Sequence, residues 1–138
     1  MNMTAIRNQL AVQITQYTGL RCDGQARDHV NPPCAVVVPG TPFITYGQTM
    51  DEATGFVLVV LLIISDSAQV EITQRALDAY LGIGPGETES VPAAVLKDPS
   101  LAGNAEWCEP MTISNYGRIE YAGVTYFGAR LNLNGGAH

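Results

Sequence analysis

Few side chains in this sequence combine the residue types and the spacing that chemistry requires. Cys22, His29 and Cys34 lie close together and offer the thiol and imidazole ligands that zinc prefers. Their spacing matches no CxxC framework, and the second histidine, His138, is the last residue. We therefore expect small buried thiols and no metal site. An odd, unpatterned set of three cysteines also fits a reducing compartment.

Candidates for acid–base and phosphate chemistry are equally weak. His29 follows Asp28 in a polar stretch, where a solvated pair is far commoner than a catalytic dyad. Asp51 and Glu52 could bind a cation, but adjacent acids in a polar segment are usually solvated charges. The triplet at 84–86, GPG, is not followed by Lys-Ser/Thr, so it cannot hold phosphate as a P-loop does. GxGxxG, GxSxG and HExxH motifs are also absent from the sequence, and we expect no enzymatic activity and no cofactor.

The length and the charge of the chain further limit the number of domains and the kinds of binding partner that we expect. With 138 residues, the sequence is long enough for one ordinary domain, which we expect to cover residues 1–138. Thirteen acidic and seven basic residues give a net charge of −6, and Lys97 is the single lysine. Groove binding to nucleic acid needs clustered positive charge, so it is disfavoured. An acidic surface suits protein partners, or DNA that passes without binding. The first residues lack the apolar core of a signal peptide, so we expect them to belong to the fold.

The apolar run FVLVVLLII at 56–64 must lie at the centre of that fold. It is far shorter than the roughly 20 residues that span a bilayer, and its Val and Ile content favours a strand. A strand with one wet face would alternate polar and apolar side chains, which this run does not. We expect helices on one face and, on the other, either a further layer of the same chain or another subunit.

Helical spacing and breaker residues predict the remaining elements. Apolar residues at helical spacing follow Thr4 and stop at Gly19, and a second apolar stripe runs from Val70 to a stop at Gly82. The predicted elements are, in chain order, a helix capped by Thr4, strands at 20–23, 35–38 and 56–64, a helix ending at Gly82, a short helix from Ser90 to Asp98, and two β-strands in the last third.

The last third alternates as strands do. Trp107, Met111 and Ile113 are expected on one face together with Ile119 and Tyr121. Residues 121–123 fit a three-residue hairpin loop with the glycine in a left-handed conformation. The tail at 134–138 is expected to fray.

The order α-β-β-β-α-α-β-β defines an α+β fold. We expect a mixed or antiparallel β-sheet of about four to six strands, with two to three helices packed on one face.

Interface residues are the remaining candidates for function. The segment 41–54 is long, polar and aromatic, and is expected to be a long loop or a hairpin arm. Aromatic residues in partly exposed positions often mark interfaces, although Tyr121 and Tyr126 could equally complete the core. The candidate contact residues for a protein partner are Phe43, Ile44, Tyr46 and Met50 in this segment and Tyr116, Arg118, Tyr126 and Arg130 on the polar face of the final hairpin.

Four stretches together resemble one protein family, the tail terminator or tail-to-head joining proteins of bacteriophages with long non-contractile tails, particularly those of actinobacterial phages. The stretches are IRNQLAVQI with GLRC, the turn-strand unit NPPCAVVVP, the helix-linker-helix DAYLGIGPGETESVPAAVLKDPSLAG, and the closing hairpin NYGRIEYAGVTYFGARLNL. They cover nearly the whole chain in the order typical of the family. No single stretch binds a ligand, so the resemblance depends on their order and spacing.

This resemblance implies a structural virion protein. Family members form a hexameric ring on the last ring of the tail tube, end tail polymerisation and join the tail to the head. The implied partners are copies of the chain itself, the major tail tube protein, a head-completion or connector protein, and genomic DNA passing through the lumen without specific binding. The implied location is the head–tail junction of a virion assembled in the host cytoplasm, with no membrane partner.

Two mechanistic hypotheses follow, and three alternatives stay open. The 41–54 segment is expected to contact a neighbouring subunit or the tail tube, and an acidic lumen would repel DNA phosphates so that the genome slides. A head-completion, stopper or minor tail protein of the same particle is the nearest alternative. A small α+β ligand-binding domain or enzyme would require a pocket with convergent polar groups. A DNA-binding regulator is disfavoured by the acidity.

Overall fold

The computed structural model describes residues 2–24, 33–46, 54–65, 77–82 and 90–137. The sheet order is β1-β2-β3-β6-β4, with β5 paired to β6 beside this path. β1 and β2 are parallel, and the other pairs are antiparallel. The elements are α1 (Met3–Thr18), β1 (Arg21–Asp23), β2 (Cys34–Thr45), β3 (Thr54–Ser65), a helical turn α2 at 77–81, α3 (Val91–Lys97), β4 (Trp107–Ser114), β5 (Ile119–Tyr121) and β6 (Val124–Ala137). The predicted α+β class, with its mixed sheet and helices, is confirmed.

The apolar run lies in the middle of the sheet, between β2 and β6, and both of its faces are buried. Alternate residues Phe56, Leu58, Val60 and Leu62 join α1, α2 and α3 in the main core. The intervening side chains Val59, Leu61 and Ile63 belong to a second cluster on the opposite face, which also contains Cys34 and Val36.

The β5–β6 hairpin supplies the second layer over that opposite face. Ile119, Tyr121 and Tyr126 of the hairpin pack in the second cluster and are at most 8% exposed. The chain itself therefore covers both faces of its central strand, and no second subunit is needed to bury these residues. Of the two explanations open at the sequence level, a further layer of the same chain is the one observed.

Gly128 lies where this hairpin leaves the sheet. A Cβ there would overlap the Leu62 carbonyl oxygen, so only glycine fits. Gly128 and Gly117 exchange backbone hydrogen bonds of 3.3 and 2.8 Å, and the β3–β6 register shifts beside them, between Ile63 and Ser65. The hairpin closes through two residues, Ala122 and Gly123, with φ of 52° and 80°. The predicted three-residue loop is wrong, because two successive left-handed residues form a tighter turn that matches the strand twist.

Helix α1 packs its apolar stripe into the main core and begins earlier than predicted. The Asn2 side chain accepts a 3.1 Å hydrogen bond from the Ala5 N–H, so Asn2 and not Thr4 is the cap. Gly19 ends the helix in a left-handed conformation, as expected. Ile6, Leu10 and Ile14 are fully buried, whereas Tyr17 is 38% exposed and lies 5.8 Å from the Lys97 ammonium.

Helix α3 is joined to α1 by a buried amide. Ser90 caps the helix through a 3.2 Å hydrogen bond from the Ala93 N–H. Gln13 of α1 is 3% exposed, and its Nε2 donates to the carbonyl oxygens of Ala94 at 3.3 Å and Asp98 at 3.2 Å. These carbonyls belong to the end of α3, where helices leave acceptors unpaired. Gln13 therefore satisfies acceptors at the end of α3 and fixes the two helices together.

The segment after α3 makes an unusual left-handed turn. Leu101, Ala102 and Gly103 have φ of 52°, 56° and 84°, although only the last is glycine. The Asp98 carboxylate accepts hydrogen bonds from Ser100 Oγ at 2.6 Å and from the Ala102 N–H at 2.9 Å. Leu101 is fully buried in the main core. The DPSLAG sequence thus places a leucine anchor in the core while the carboxylate holds the backbone around it.

The C-terminal residues are part of the sheet, so the prediction of a frayed tail is wrong. β6 continues to Ala137 and pairs with both β3 and β4. The two glycines at its end make room for aromatic rings. A Cβ at Gly135 would overlap the Phe56 ring, and one at Gly136 would overlap the Trp107 ring. Without side chains on these glycines, the neighbouring strands have room for both rings there.

No helix among the described residues is long and apolar enough to span a membrane. The predicted second helix is described only over 77–81, and its stripe at Val70, Thr73 and Ala76 lies outside the described residues.

Candidate interaction surfaces

A β-hairpin arm, formed by the ends of β2 and β3, carries the first set of predicted contact residues. β2 does not stop at Pro39 as expected but continues to Thr45, and Ile44 pairs with Phe56 while Thr45 pairs with Gly55. Between the Pro39–Leu58 pair and the Ile44–Phe56 pair, four residues of β2 face the single residue Val57. The described residues of 41–54 thus continue the β2–β3 pair, with a wide bulge on the β2 side, while residues 47–53 lie outside the described residues.

The four contact residues predicted on this segment differ in their exposure and in their contacts. Phe43 packs against the main core and is only partly exposed, so it anchors the bulge to its own chain. Ile44 is half-buried in the strand pair, and Tyr46 is 74% exposed just beyond it. Met50 lies outside the described residues. Tyr46 is the arm side chain that these positions leave most open to a partner.

The base of the arm contains residues that sequence reasoning missed. Phe56 and Trp107 lie against Gly135 and Gly136, so the end of β6 is held between the arm strand β3 and the edge strand β4. A pair of glycines after an alternating strand, with aromatic residues elsewhere in the sheet, was the available signal. The described part of the arm is thus held in the sheet beside four buried or partly buried residues.

The second predicted set of contact residues, on the final hairpin, also contains both exposed and buried side chains. Tyr116 is 44% exposed; its hydroxyl donates to Asp78 at 2.7 Å, and its ring contacts the Phe127 ring edge-on at 6.3 Å. The hydrogen bond to the Asp78 carboxylate raises the pKa of Tyr116. Arg118 is exposed and Arg130 is half-buried opposite Ser114. Tyr126 is 8% exposed within the second cluster, so it completes the core and presents no surface to a partner.

The edge strand β4 exposes two large apolar side chains. Met111 is 57% and Ile113 is 41% exposed, whereas Cys108 is fully buried. The prediction that Trp107, Met111 and Ile113 share one face of the strand is wrong, because the register with β6 shifts between Pro110 and Thr112. One inserted residue moves every following side chain to the other face of a strand. Ile113 lies opposite Leu131 but at the margin of the sheet, where it stays partly exposed.

A polar side chain on β6 lies within hydrogen-bond distance of residues in the second half of the edge strand β4. Asn132 Nδ2 lies within hydrogen-bond distance of Thr112 Oγ1 at 3.0 Å, the Thr112 carbonyl at 3.3 Å and Ser114 Oγ at 3.3 Å. These contacts follow directly on the register shift. They keep residues 112–114 extended beside β6.

The thiols have the properties of buried structural groups. Burial raises the pKa of both Cys22 and Cys108 to about 12, so both are protonated at neutral pH. Cys22 lies opposite Ala35 on the helix side of the sheet, whereas Cys34 belongs to the second cluster on the other face. Among the described residues no group of three or more His, Cys, Asp or Glu could hold a metal ion, and His29 is not one of those residues.

Comparison with models of known protein families and with curated proteins finds no match to this chain. The described surface offers two separate candidates for contact with other proteins, the arm at Ile44–Tyr46 and the edge at Met111–Arg118.

Proposed function

We propose that this chain is a tail terminator protein of a bacteriophage with a long non-contractile tail. Copies of it form a ring, expected to be a hexamer, on the last ring of the tail tube. The ring ends tail polymerisation and joins the tail to a head-completion or connector protein. The observation that carries the proposal is the order of the four family-like stretches along nearly the whole chain.

The architecture is compatible with this role at each of those stretches. The opening stretch forms α1 and β1, and the turn-strand unit leads into β2. The third stretch contains α2, α3 and the left-handed turn held by Asp98. The last forms the β5–β6 hairpin that covers the second face of the sheet. Each stretch thus has a defined structural task, although none of these tasks is unique to the family.

The proposed mechanism is binding alone. Because the chain covers both faces of its central strand, those apolar side chains are not available to other copies, and we expect contacts through edges, helices or the arm. We expect the arm to contact a neighbouring subunit or the tail tube, since Tyr46 is exposed directly after β2 while Phe43 fixes the bulge. The net charge of −6 favours an acidic lumen through which DNA passes without binding.

Electron microscopy of a phage with an early stop codon in this gene tests the proposal. Overlong or ragged tails beside full heads, with no joined particles, are the expected result. Supplying the intact gene in trans should restore joined particles and serves as the control. Tails of normal length that fail only to join heads would instead indicate a stopper or head-completion protein. Complete, infective particles would refute a structural role.

A further inference from the structure

An Asn-Gly dipeptide lies near the end of β6, at residues 134 and 135. Asn134 is the one asparagine that a glycine follows, since the others precede Met, Gln, Pro, Ala, Tyr or Leu. Asn-Gly between apolar residues is normally the signal of a tight hairpin turn, in which both positions have positive φ. Here neither residue has a positive φ, and both are paired with β3 and with β4. The sheet therefore holds a turn sequence in an extended, doubly paired strand.

The packing around the dipeptide requires its second residue to be glycine. A Cβ at Gly135 would overlap the Phe56 ring and lie 2.6 Å from the Trp107 carbonyl oxygen. Gly135 is buried, and so is the glycine that follows it. The fold thus keeps an Asn-Gly dipeptide at a position where a larger second residue has no space.

This dipeptide has a chemistry of its own, the loss of the asparagine side-chain amide. Glycine has no Cβ to hinder its own backbone nitrogen, so that nitrogen can approach the preceding side chain closely. The Gly135 nitrogen attacks Asn134 Cγ, an N–Cγ bond forms, and the Cγ–Nδ2 bond breaks. The proton of the Gly135 N–H leaves with the amide as ammonia. Solvent water then opens the cyclic imide at either carbonyl, which gives aspartate or isoaspartate.

The two strand pairs of β6 oppose this reaction in the folded chain. Asn134 is paired with Val57 on one side and with Glu109 on the other, and Gly135 is likewise paired on both sides. Closing the imide requires rotation of the backbone between Asn134 and Gly135, which these pairs prevent. The reaction therefore needs local opening of the end of β6. Segments near a chain terminus open at a lower free energy than the core does.

The products do not fit back into the sheet. Glu109 lies directly opposite Asn134 and is exposed. An aspartate at position 134 places two carboxylates in one cross-strand pair, and like charges in such a pair are destabilising. An isoaspartate adds a methylene to the main chain, which displaces the two following glycines from the rings of Phe56 and Trp107 that they accommodate. Both products therefore favour the open strand end.

We propose that Asn134 is a site of spontaneous deamidation that reacts when the end of β6 opens and then prevents that end from pairing again. The nucleophile is the chain's own Gly135 nitrogen, and the co-reactant is water. The site belongs to the single subunit and is independent of the proposed function in a phage tail.

Mass spectrometry of the full-length protein tests the proposal. The protein is incubated in a mildly alkaline buffer, either native or unfolded in guanidinium chloride, and is then digested with trypsin. Cleavage after Arg130 releases residues 131–138 as one peptide, in which Asn132 is an internal control because Leu133 follows it. We expect Asn134 to deamidate at least about tenfold more slowly in the native protein than in the unfolded chain. Equal rates in the two states would refute the protection by the strand.

A pair of glycine variants tests the link to strand opening. Gly55 and Gly136 are partners across β3 and β6, and neither belongs to the dipeptide. A Cβ at Gly136 would overlap the Trp107 ring, whereas the nearest contact of a Cβ at Gly55 would be 3.7 Å away. Opening is fast relative to deamidation, so the rate follows the population of the open form. Strain of the usual size for overpacking should make Asn134 deamidate at least about fivefold faster in native Gly136→Ala than in Gly55→Ala.

Circular dichroism checks that both variants are folded. If Gly136→Ala does not fold, wild-type protein in guanidinium chloride below its unfolding transition takes its place, because denaturant also raises the open population. A rate at Asn134 that neither condition raises would refute the dependence on strand opening. The deamidated protein, separated from the unmodified protein by ion exchange, should have a lower Tm. An equal Tm would refute the claim that the products no longer pair.

Discussion

Replacing Gln13 with methionine should loosen the helix layer without altering the sheet. Gln13 is almost fully buried, and its Nε2 donates to two carbonyl oxygens at the end of α3. Methionine keeps a similar volume and a similar helix propensity, so the change removes mainly the amide.

The size of the stability loss depends on which of the two carbonyl oxygens is left without a hydrogen-bond donor. The bond to the Ala94 carbonyl is buried, whereas the bond to the Asp98 carbonyl is only partly buried and can be replaced by water. An unsatisfied buried acceptor costs about 1–3 kcal/mol, and both bonds are at the long end of the usual range. We expect a loss of about 1–2 kcal/mol in the free energy of unfolding. For a chain of this length that lowers Tm by about 3–8 °C.

Chemical and thermal denaturation of the purified protein measures the effect. Gln9→Met is the matched control, because Gln9 donates to the Gln13 Oε1 at 3.3 Å and this bond is lost in both variants. The difference between the variants therefore isolates the contacts to α3. If Gln13→Met were as stable as Gln9→Met, the amide would not be what fixes α1 to α3.

Three further predictions concern the glycine pair and the left-handed turn. Gly135→Ala should lower the free energy of unfolding by about 3 kcal/mol or more and reduce the soluble yield, because its Cβ would overlap an aromatic ring and lie 2.6 Å from a backbone oxygen. The control is Gly55→Ala, whose Cβ would have its nearest contact 3.7 Å away. This variant should be as stable as wild type in the same denaturation assay. Hydrogen bonds from Ser100 and the Ala102 N–H lower the pKa of Asp98. The ionised Asp98 carboxylate should therefore stabilise the folded protein at neutral pH, and this stabilisation should be lost as pH falls through that lowered pKa. Asp98→Asn should accordingly be less stable than wild type at pH 7 but converge with it in strong acid, and a constant difference at all pH values would contradict this linkage. Ala102→Gly should stabilise the protein by up to about 1 kcal/mol by relieving its positive φ, whereas Ala93→Gly inside α3 should destabilise it by about 1 kcal/mol.

The elements that depend on local chemistry could be predicted from the sequence. Ser90 and Asp98 bound α3 as expected, and Gly19 ends α1, because caps and breakers act within a few residues. The run at 56–64 was placed correctly as a strand buried on both faces, since an unbroken apolar run has no wet face to offer.

Features that depend on distant contacts could not be predicted in the same way. The face of β4 on which Met111 and Ile113 lie depends on a single inserted residue in the pairing of β4 with β6. Alternation in the sequence does not reveal that insertion. Gly135 and Gly136 looked like a flexible tail because their role is to leave space for rings far away in the sequence.

The sequence did not show which of the predicted contact residues are exposed and which are buried. Tyr46 and Tyr116 are exposed, whereas Phe43 and Tyr126 turn toward the two cores. Nothing in the local sequence separates an aromatic residue that binds a partner from one that anchors its own chain, since both lie in polar surroundings.

The distribution of tail lengths in lysates of the stop-codon phage tests the central claim most directly. A tail terminator sets the point at which the tube stops growing, so its absence should convert one sharp length into a broad distribution extending well beyond it. A single, unchanged tail length in the absence of this protein would contradict the account.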